Sequence, residues 1–263
     1  NALGLKLEFK EGEGPILQTV NDHSDVLKLL KTNTIHDTLS PVYDTVSLIK
    51  SKLDKNITLI GFAGSPWTVS TYMIEGKGSK DHQKTKMFLS RNPKSFNLLI
   101  SKITDATVDY LSKQIEAGAD VVKLFDSWAG SLPGSLVEKY SLNPMREIAE
   151  RLKAVFPSVK IIVFPRGVGP HYTKFSEIKA FDCVALDSNL PLIWAKNNVQ
   201  KNIAVQGNLD PSFLVSGGEM MIKEIQNIKN VFSSGGHIFN LGHGITPNAD
   251  IKNVESLINT LHR

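Results

Sequence analysis

The chain has 263 residues, 41% of them hydrophobic, enough for one sizeable core and close to the size of a single α/β barrel, about 250 residues. Its 30 Lys+Arg against 26 Asp+Glu give a formal charge of +4, scattered without an arginine-rich arm or basic stripe, which argues against nucleic acid as a partner. One cysteine, Cys183, excludes an internal disulfide and a thiolate zinc cluster; no stretch reaches the roughly 18–20 apolar residues of a membrane span or has the build of a signal peptide, so the cytoplasm is the expected compartment.

The sequence opens on Asn1 rather than Met, inside the apolar segment Ala2-Leu3-Gly4-Leu5, and reads as starting partway through a domain. Leu5 to Phe9 and then Glu11 to Pro15 alternate like an exposed hairpin. Thr58 to Phe62 is the first buried strand. It runs into Gly61-Phe62-Ala63-Gly64-Ser65-Pro66-Trp67-Thr68, where Ser65 has the place of an N-cap hydroxyl and Pro66 of the first helical residue. Strand, glycine turn and helix start in that order present free backbone N–H groups to an anionic ligand. A long helix is opened by Asn92-Pro93, marked by Phe96, Ile100, Ile103, Leu111 and Ile115, and closed at Gly118. Strand Val121 to Phe125 follows, then a helix from Ser135 towards Phe156 with a kink expected at Pro144. Further strands are expected at Lys160 to Phe164, Val184 to Leu186, Ile203 to Val205 and His237 to Leu241. A helix around Glu219 to Ile228 precedes the last strand, and another follows Asp250 through Ile251, Val254 and Ile258.

Six short, nearly continuous apolar strands alternating with helices predict a parallel sheet with right-handed crossovers. No dinucleotide fingerprint follows the first strand, which lowers the open doubly wound alternative. Polar or glycine residues close each strand: Gly64, Ser127, Arg166, Asp187, Asn208 and His243. In a barrel all six converge at the C-terminal mouth. The expected fold is therefore α/β, a (β/α)8 barrel lacking roughly its first two strands, with residues 1–263 forming one domain incomplete at the N-terminus.

Four strand-end segments carry the residue types of chemistry: GFAGSPW with Tyr72, Phe125-Asp126-Ser127-Trp128-Ala129-Gly130, Gln206-Gly207-Asn208-Leu209-Asp210-Pro211, and Asn240-Leu241-Gly242-His243-Gly244. Singly, each has an ordinary reading. A tyrosine early in a helix is usually core or rim, a serine after a strand is a helix cap, and Asn-Leu-Asp-Pro is a turn and cap. Gly76-Lys77-Gly78-Ser79 lacks the spacing of a P-loop, and the remaining histidines lack H-E-x-x-H metal spacing.

Together these segments, with Glu75-Gly76-x-Gly78-Ser79, Phe164-Pro165-Arg166-Gly167 and Leu186-Asp187, resemble the uroporphyrinogen decarboxylase family in order and spacing over essentially the whole chain. The resemblance implies a (β/α)8 barrel that acts as a homodimer without a cofactor or metal. It implies decarboxylation of the four acetate arms of uroporphyrinogen III to methyls, giving coproporphyrinogen III in haem biosynthesis. Tyr72, Ser127 and His243 would bind substrate and line one cavity. Phe62, Gly64 and Arg166 are additional candidates. Gly61 to Gly64 would let backbone approach the macrocycle, and Arg166 would be either a cation at the mouth or a rim salt bridge.

Two family features have no counterpart in the chain: the arginine-rich loop that grips the carboxylates, and the central aspartate that organises the pyrrole N–H groups. The catalytic residue is therefore left unassigned, that aspartate being expected upstream of Asn1, and the chain alone is expected to be inactive. Two rival classes stand beside this reading. One is a zinc-dependent barrel of the corrinoid methyltransferase kind, against which the lone Cys183 argues; the other is a non-catalytic fragment that binds a tetrapyrrole.

Overall fold

The computed structural model describes residues 1–10, 14–30 and 34–262. A two-stranded antiparallel hairpin, β1 (Leu7–Lys10) and β2 (Gly14–Leu17), precedes the main sheet. The Glu11 to Glu13 part of the expected hairpin lies outside the described residues.

The main sheet has six parallel strands: β3 (Ile60–Gly64), β4 (Val121–Asp126), β5 (Lys160–Pro165), β6 (Cys183–Ala185), β7 (Ala204–Gln206) and β8 (His237–Ile238). Each pairs with the next in sequence, so the order is simply β3 to β8. This is the neighbour-to-neighbour progression of a (β/α) barrel. Among the described residues the barrel is not closed, since β3 and β8 are not paired with each other.

All six expected strands form, with shifted ends. Leu186 lies past the end of β6, and the strand expected over His237 to Leu241 shrinks to two residues plus a single parallel bridge from Leu241 to Leu209. Strand alternation sorts the side chains of β4. Val122, Leu124 and Asp126 are buried towards the helices, where the main core holds Trp67, Phe96, Leu111, Met145 and Phe175. Val121 and Phe125 turn to the concave face and pack on Ile162, Phe164, Cys183 and Ala185.

The helix Pro66–Glu75 starts as expected, with Ser65 at the cap position in an extended conformation (φ −66°, ψ 152°). Its hydroxyl makes no capping bond, however, and is buried without a partner. Gly76 ends this helix at φ +81°, where a Cβ would stand 3.0 Å from the Leu17 carbonyl oxygen. The long helix spans Pro93–Glu116 and is followed by Gly118 at φ +113°.

Pro144 does not break its helix. Gly134–Val137, a π-helical turn at Glu138–Leu142 and Asn143–Val155 run on continuously, and the wide turn, closed by Asn143 N donating to Glu138 O, lies directly before the proline, which has no N–H to donate. The last helices are Gly218–Phe232 and Ile251–Leu261, the latter capped by the Asp250 carboxylate accepting from Lys252 N. One long helix, Ile35–Lys52, was passed over in the sequence although Ile35, Leu39, Val42, Val46 and Ile49 recur along it at helical spacing; only Ile35 of its 18 residues is fully buried, so the stripe is only partly covered.

Candidate functional site

At the C-terminal ends of the strands a cavity of about 640 Å³ opens over the concave face. Phe62, Lys123, Ser127, Phe164 and His243 line it. A second, more polar cavity of about 510 Å³ adjoins it, lined by Arg166, Asp187, Asp210 and others, and His243 and Gly244 belong to both walls.

The loop after β4 that carries Ser127 is held from several directions. Trp128 O accepts from Trp67 Nε1 at 2.9 Å and from Ser131 Oγ at 2.7 Å, while Trp128 N donates to Thr68 Oγ1 at 3.2 Å. Thr68 Oγ1 in turn donates to Asp126 Oδ1 at 2.6 Å, and Ser141 Oγ donates to Asp126 Oδ2, also at 2.6 Å. Asp126 therefore ties β4 to the helix after β3 and to the π-turn. Burial pushes its carboxyl up to about 6, against the pull of hydrogen-bond donors among which the Ser141 and Thr68 hydroxyls are foremost.

Under the polar cavity Asp187 does similar work. Its Oδ2 accepts from Gly167 N at 2.8 Å and from Tyr172 Oη at 2.9 Å, and its Oδ1 accepts from Asn189 N at 2.9 Å. This fixes the loop that presents Arg166. Burial and the neighbouring Asp187 push the Tyr172 phenol well above its ordinary range, so it remains a donor. Asp210 caps the helix Pro211–Ser216 by accepting from Ser212 N at 2.8 Å, the turn-and-cap role expected of Asn-Leu-Asp-Pro. Asn208 braces the same region by donating to Asp187 O at 2.9 Å and Leu190 O at 3.2 Å.

Of the expected site residues, Phe62, Ser127 and His243 meet around one cavity, although Phe62 and His243 are far apart in sequence. The His243 ring lies 6.4 Å from that of Phe164, and burial, then the Arg166 guanidinium, hold its imidazole below the ordinary histidine range. Arg166 stands in the adjoining cavity and among the described residues forms no ion pair, so the expected alternative of a rim salt bridge is not what the structure contains.

Tyr72 is not part of the lining of the larger cavity. It is 41% exposed on its helix, with its ring 6.5 Å from that of Trp128, the neighbour of Ser127. The glycines face protein rather than open space: a Cβ on Gly61 would stand 2.7 Å from Gln114 Oε1, and one on Gly64 would stand 2.9 Å from Val69 Cγ2. They admit the packing of helices on β3.

The residue that sequence reading passed over is Lys123. Its signal was available: a lysine in the middle of an otherwise apolar strand, in phase with Val121 and Phe125, must point wherever they point. Other histidines have structural partners. His23 Nδ1 is 3.0 Å from Ser95 Oγ, His36 Nδ1 is 3.0 Å from Tyr43 Oη, and His237 Nε2 is 2.8 Å from Gly207 O. Among the described residues no three His, Cys, Asp or Glu side chains are grouped to hold a metal ion.

Comparison with known proteins places this geometry. A family model described as Uroporphyrinogen decarboxylase matches residues 1–263. The uroporphyrinogen decarboxylase of Paracoccus denitrificans is 52% identical over 260 residues, covering 99% of this chain and 76% of the relative. That of Ruegeria pomeroyi is 49% identical over 262 residues, covering 100% and 76%. Among solved structures, a methyltransferase from Methanosarcina mazei superposes with a TM-score of 0.81 at 16% identity, covering 98% of this chain and 75% of that one. A B12-independent methionine synthase from Shewanella gives 0.60 at 10% identity, covering 100% and 73%. At such identities the structural likenesses speak for the fold alone.

Proposed function

This chain belongs to the uroporphyrinogen decarboxylase family, and we propose that it removes the carboxyl groups of the four acetate arms of uroporphyrinogen III, leaving methyls and giving coproporphyrinogen III. The observation that carries the reading is the family match along all 263 residues, together with the meeting of Ser127 and His243 around one cavity. The reaction asks for no thiolate or hydride. A pyrrole protonated on carbon withdraws electrons from the adjacent acetate, carbon dioxide leaves, the enamine that remains is protonated on its terminal carbon to give the methyl, and loss of the proton first added to the ring carbon restores the aromatic pyrrole. The four propionate arms are untouched.

The protein's share is to bind a flexible octacarboxylate, keep water from the reacting arm and set dipoles where charge develops. Ser127 Oγ offers a short, fixed hydroxyl from a loop clamped through Trp128. His243 offers a neutral imidazole beside Arg166. Arg166, which forms no ion pair among the described residues, offers a guanidinium fork suited to a substrate carboxylate. Tyr72 would meet substrate outside the lined cavity, beside Trp128. We further propose that the protein works in the cytoplasm as a homodimer, without a cofactor, in haem biosynthesis.

The test is anaerobic turnover of uroporphyrinogen III in two arms: the chain alone, and the chain joined to the part of the Paracoccus relative that it does not cover. Coproporphyrinogen is expected in the second arm and should survive a strong chelator. No product in either arm overturns the reading, and chelator loss restored by zinc would move the protein into the metal-dependent class.

A further inference from the structure

Lys123 brings a charge into the concave face of the sheet. It is the third residue of β4 and lines the larger cavity together with Ser127 and His243. Its Nζ donates to Gln206 Oε1 at 2.7 Å and stands 5.3 Å from the centroid of the Phe164 ring, the same ring that neighbours His243. An ammonium has three donors, and the structure accounts for one of them. Among the described residues no carboxylate pairs with it. Cys183 on β6, which is coupled to it electrostatically, supplies no counter-charge, because burial pushes that thiol up to about 12. A half-buried cation with one neutral acceptor and one aromatic face is costly to the fold, and methionine would fill the same space at lower cost. The placement makes sense if an anion arrives from the cavity.

We propose that Lys123 is a specificity-determining residue that receives a carboxylate of the tetrapyrrole which the reaction leaves in place, a propionate arm. This rests on the decarboxylase reading above. The choice of arm follows from the chemistry. A carboxylate that departs as carbon dioxide loses its charge on the way to the transition state. An ion pair to it would stabilise the ground state more than the transition state and slow the step. A permanent carboxylate carries no such penalty, so a cation holding it orients the macrocycle throughout.

Product and substrate share the propionates, and this makes the proposal testable by equilibrium binding. The chain joined to the part of the Paracoccus relative that it does not cover, as in the turnover test above, is titrated anaerobically with uroporphyrinogen III and, separately, with coproporphyrinogen III. Lys123→Met should weaken both by about ten- to a hundredfold, the span expected for losing one charge-assisted hydrogen bond. Lys123→Arg should retain most of the affinity for both. The thermal midpoint of Lys123→Met should be equal to or above that of the parent, because an uncompensated cation has been removed. Lys123→Gln, which keeps hydrogen-bonding capacity without charge, should bind as poorly as Lys123→Met.

Unchanged binding of both ligands by Lys123→Met and Lys123→Gln would overturn the proposal. So would a loss confined to uroporphyrinogen, which would assign Lys123 to a reacting acetate. A drop in thermal midpoint in both neutral variants with binding intact would make Lys123 a structural residue. If the joined protein with Lys123 unaltered binds neither ligand, the decarboxylase reading itself falls, an outcome distinct from all of these.

Discussion

At the residue scale, His243 is the most exposed to test. Its imidazole is held low first by burial and then by the Arg166 guanidinium, so the neutral form is favoured at neutral pH, the ordinary value being about 6.5. Arg166→Gln removes the second cause and leaves the first. The His243 titration, followed by NMR of the ring protons, should therefore move upward without passing the ordinary value. An unmoved titration would show that the guanidinium does not act on this ring. The placement of Ser127 and His243 was legible in the sequence, because Ser127 directly follows β4, His243 lies on the loop beyond β8, and the barrel argument brings such residues to one end. Gly61 was misread, because a glycine's permissive backbone does not reveal which neighbour the missing Cβ makes room for. Lys123 was passed over, because its meaning depends on what stands across the concave face, Gln206 and Phe164, from strands far along the chain.

At the element scale, Asp126 joins three pieces that the sequence treats separately: β4, the helix Pro66–Glu75 through Thr68, and the π-turn Glu138–Leu142 through Ser141. Its folded-state carboxyl titrates near 6, raised from about 3.8. Between those values the folded protein holds a proton that the unfolded chain has released, so this group's stabilising contribution is complete below about 3.8, shrinks as pH rises, and is gone above about 6. Asp126→Asn cannot ionise and keeps one acceptor. The stability of Asp126→Asn relative to the parent should thus rise with pH over that window and level off beyond it, as read from urea melts at several pH values. A difference independent of pH would mean that Asp126 is not desolvated as described. The π-turn itself left a trace in the sequence only as Pro144, which announces a disturbed helix without saying whether it ends, bends or widens. The helix Ile35–Lys52 did leave a trace, the stripe of Ile35, Leu39, Val42, Val46 and Ile49 at helical spacing, which was passed over.

At the scale of the whole molecule, the count of six strands was legible because parallel strands buried on both faces read as continuous apolar runs. What the sequence could not show is how the two outer edges are managed. On β3 the answer is Gln114: Phe62 N donates to Gln114 Oε1 at 3.0 Å, and Gln114 Nε2 donates to Phe62 O at 3.1 Å. A buried side-chain amide from the helix Pro93–Glu116 thus takes the place of a neighbouring strand for one residue, and the glycine at 61 is what leaves it room. Such blunting matters because an open edge recruits other chains, the more so when apolar side chains flank it. Here Ile60 is 39% exposed, Phe62 59% and Ile238 44%. Concentrated solutions of the 263-residue chain are therefore expected to contain species heavier than a dimer. Gln114→Ala should increase that fraction while lowering stability by about 1 kcal/mol, the order expected for losing hydrogen bonds to the part-buried N–H and C=O of Phe62. Light scattering on a sizing column and a urea melt read the two effects separately. A variant with the parent's mass distribution and the parent's melt would show that β3 needs no guard, and that the unpaired edges of this sheet are protected by something other than Gln114.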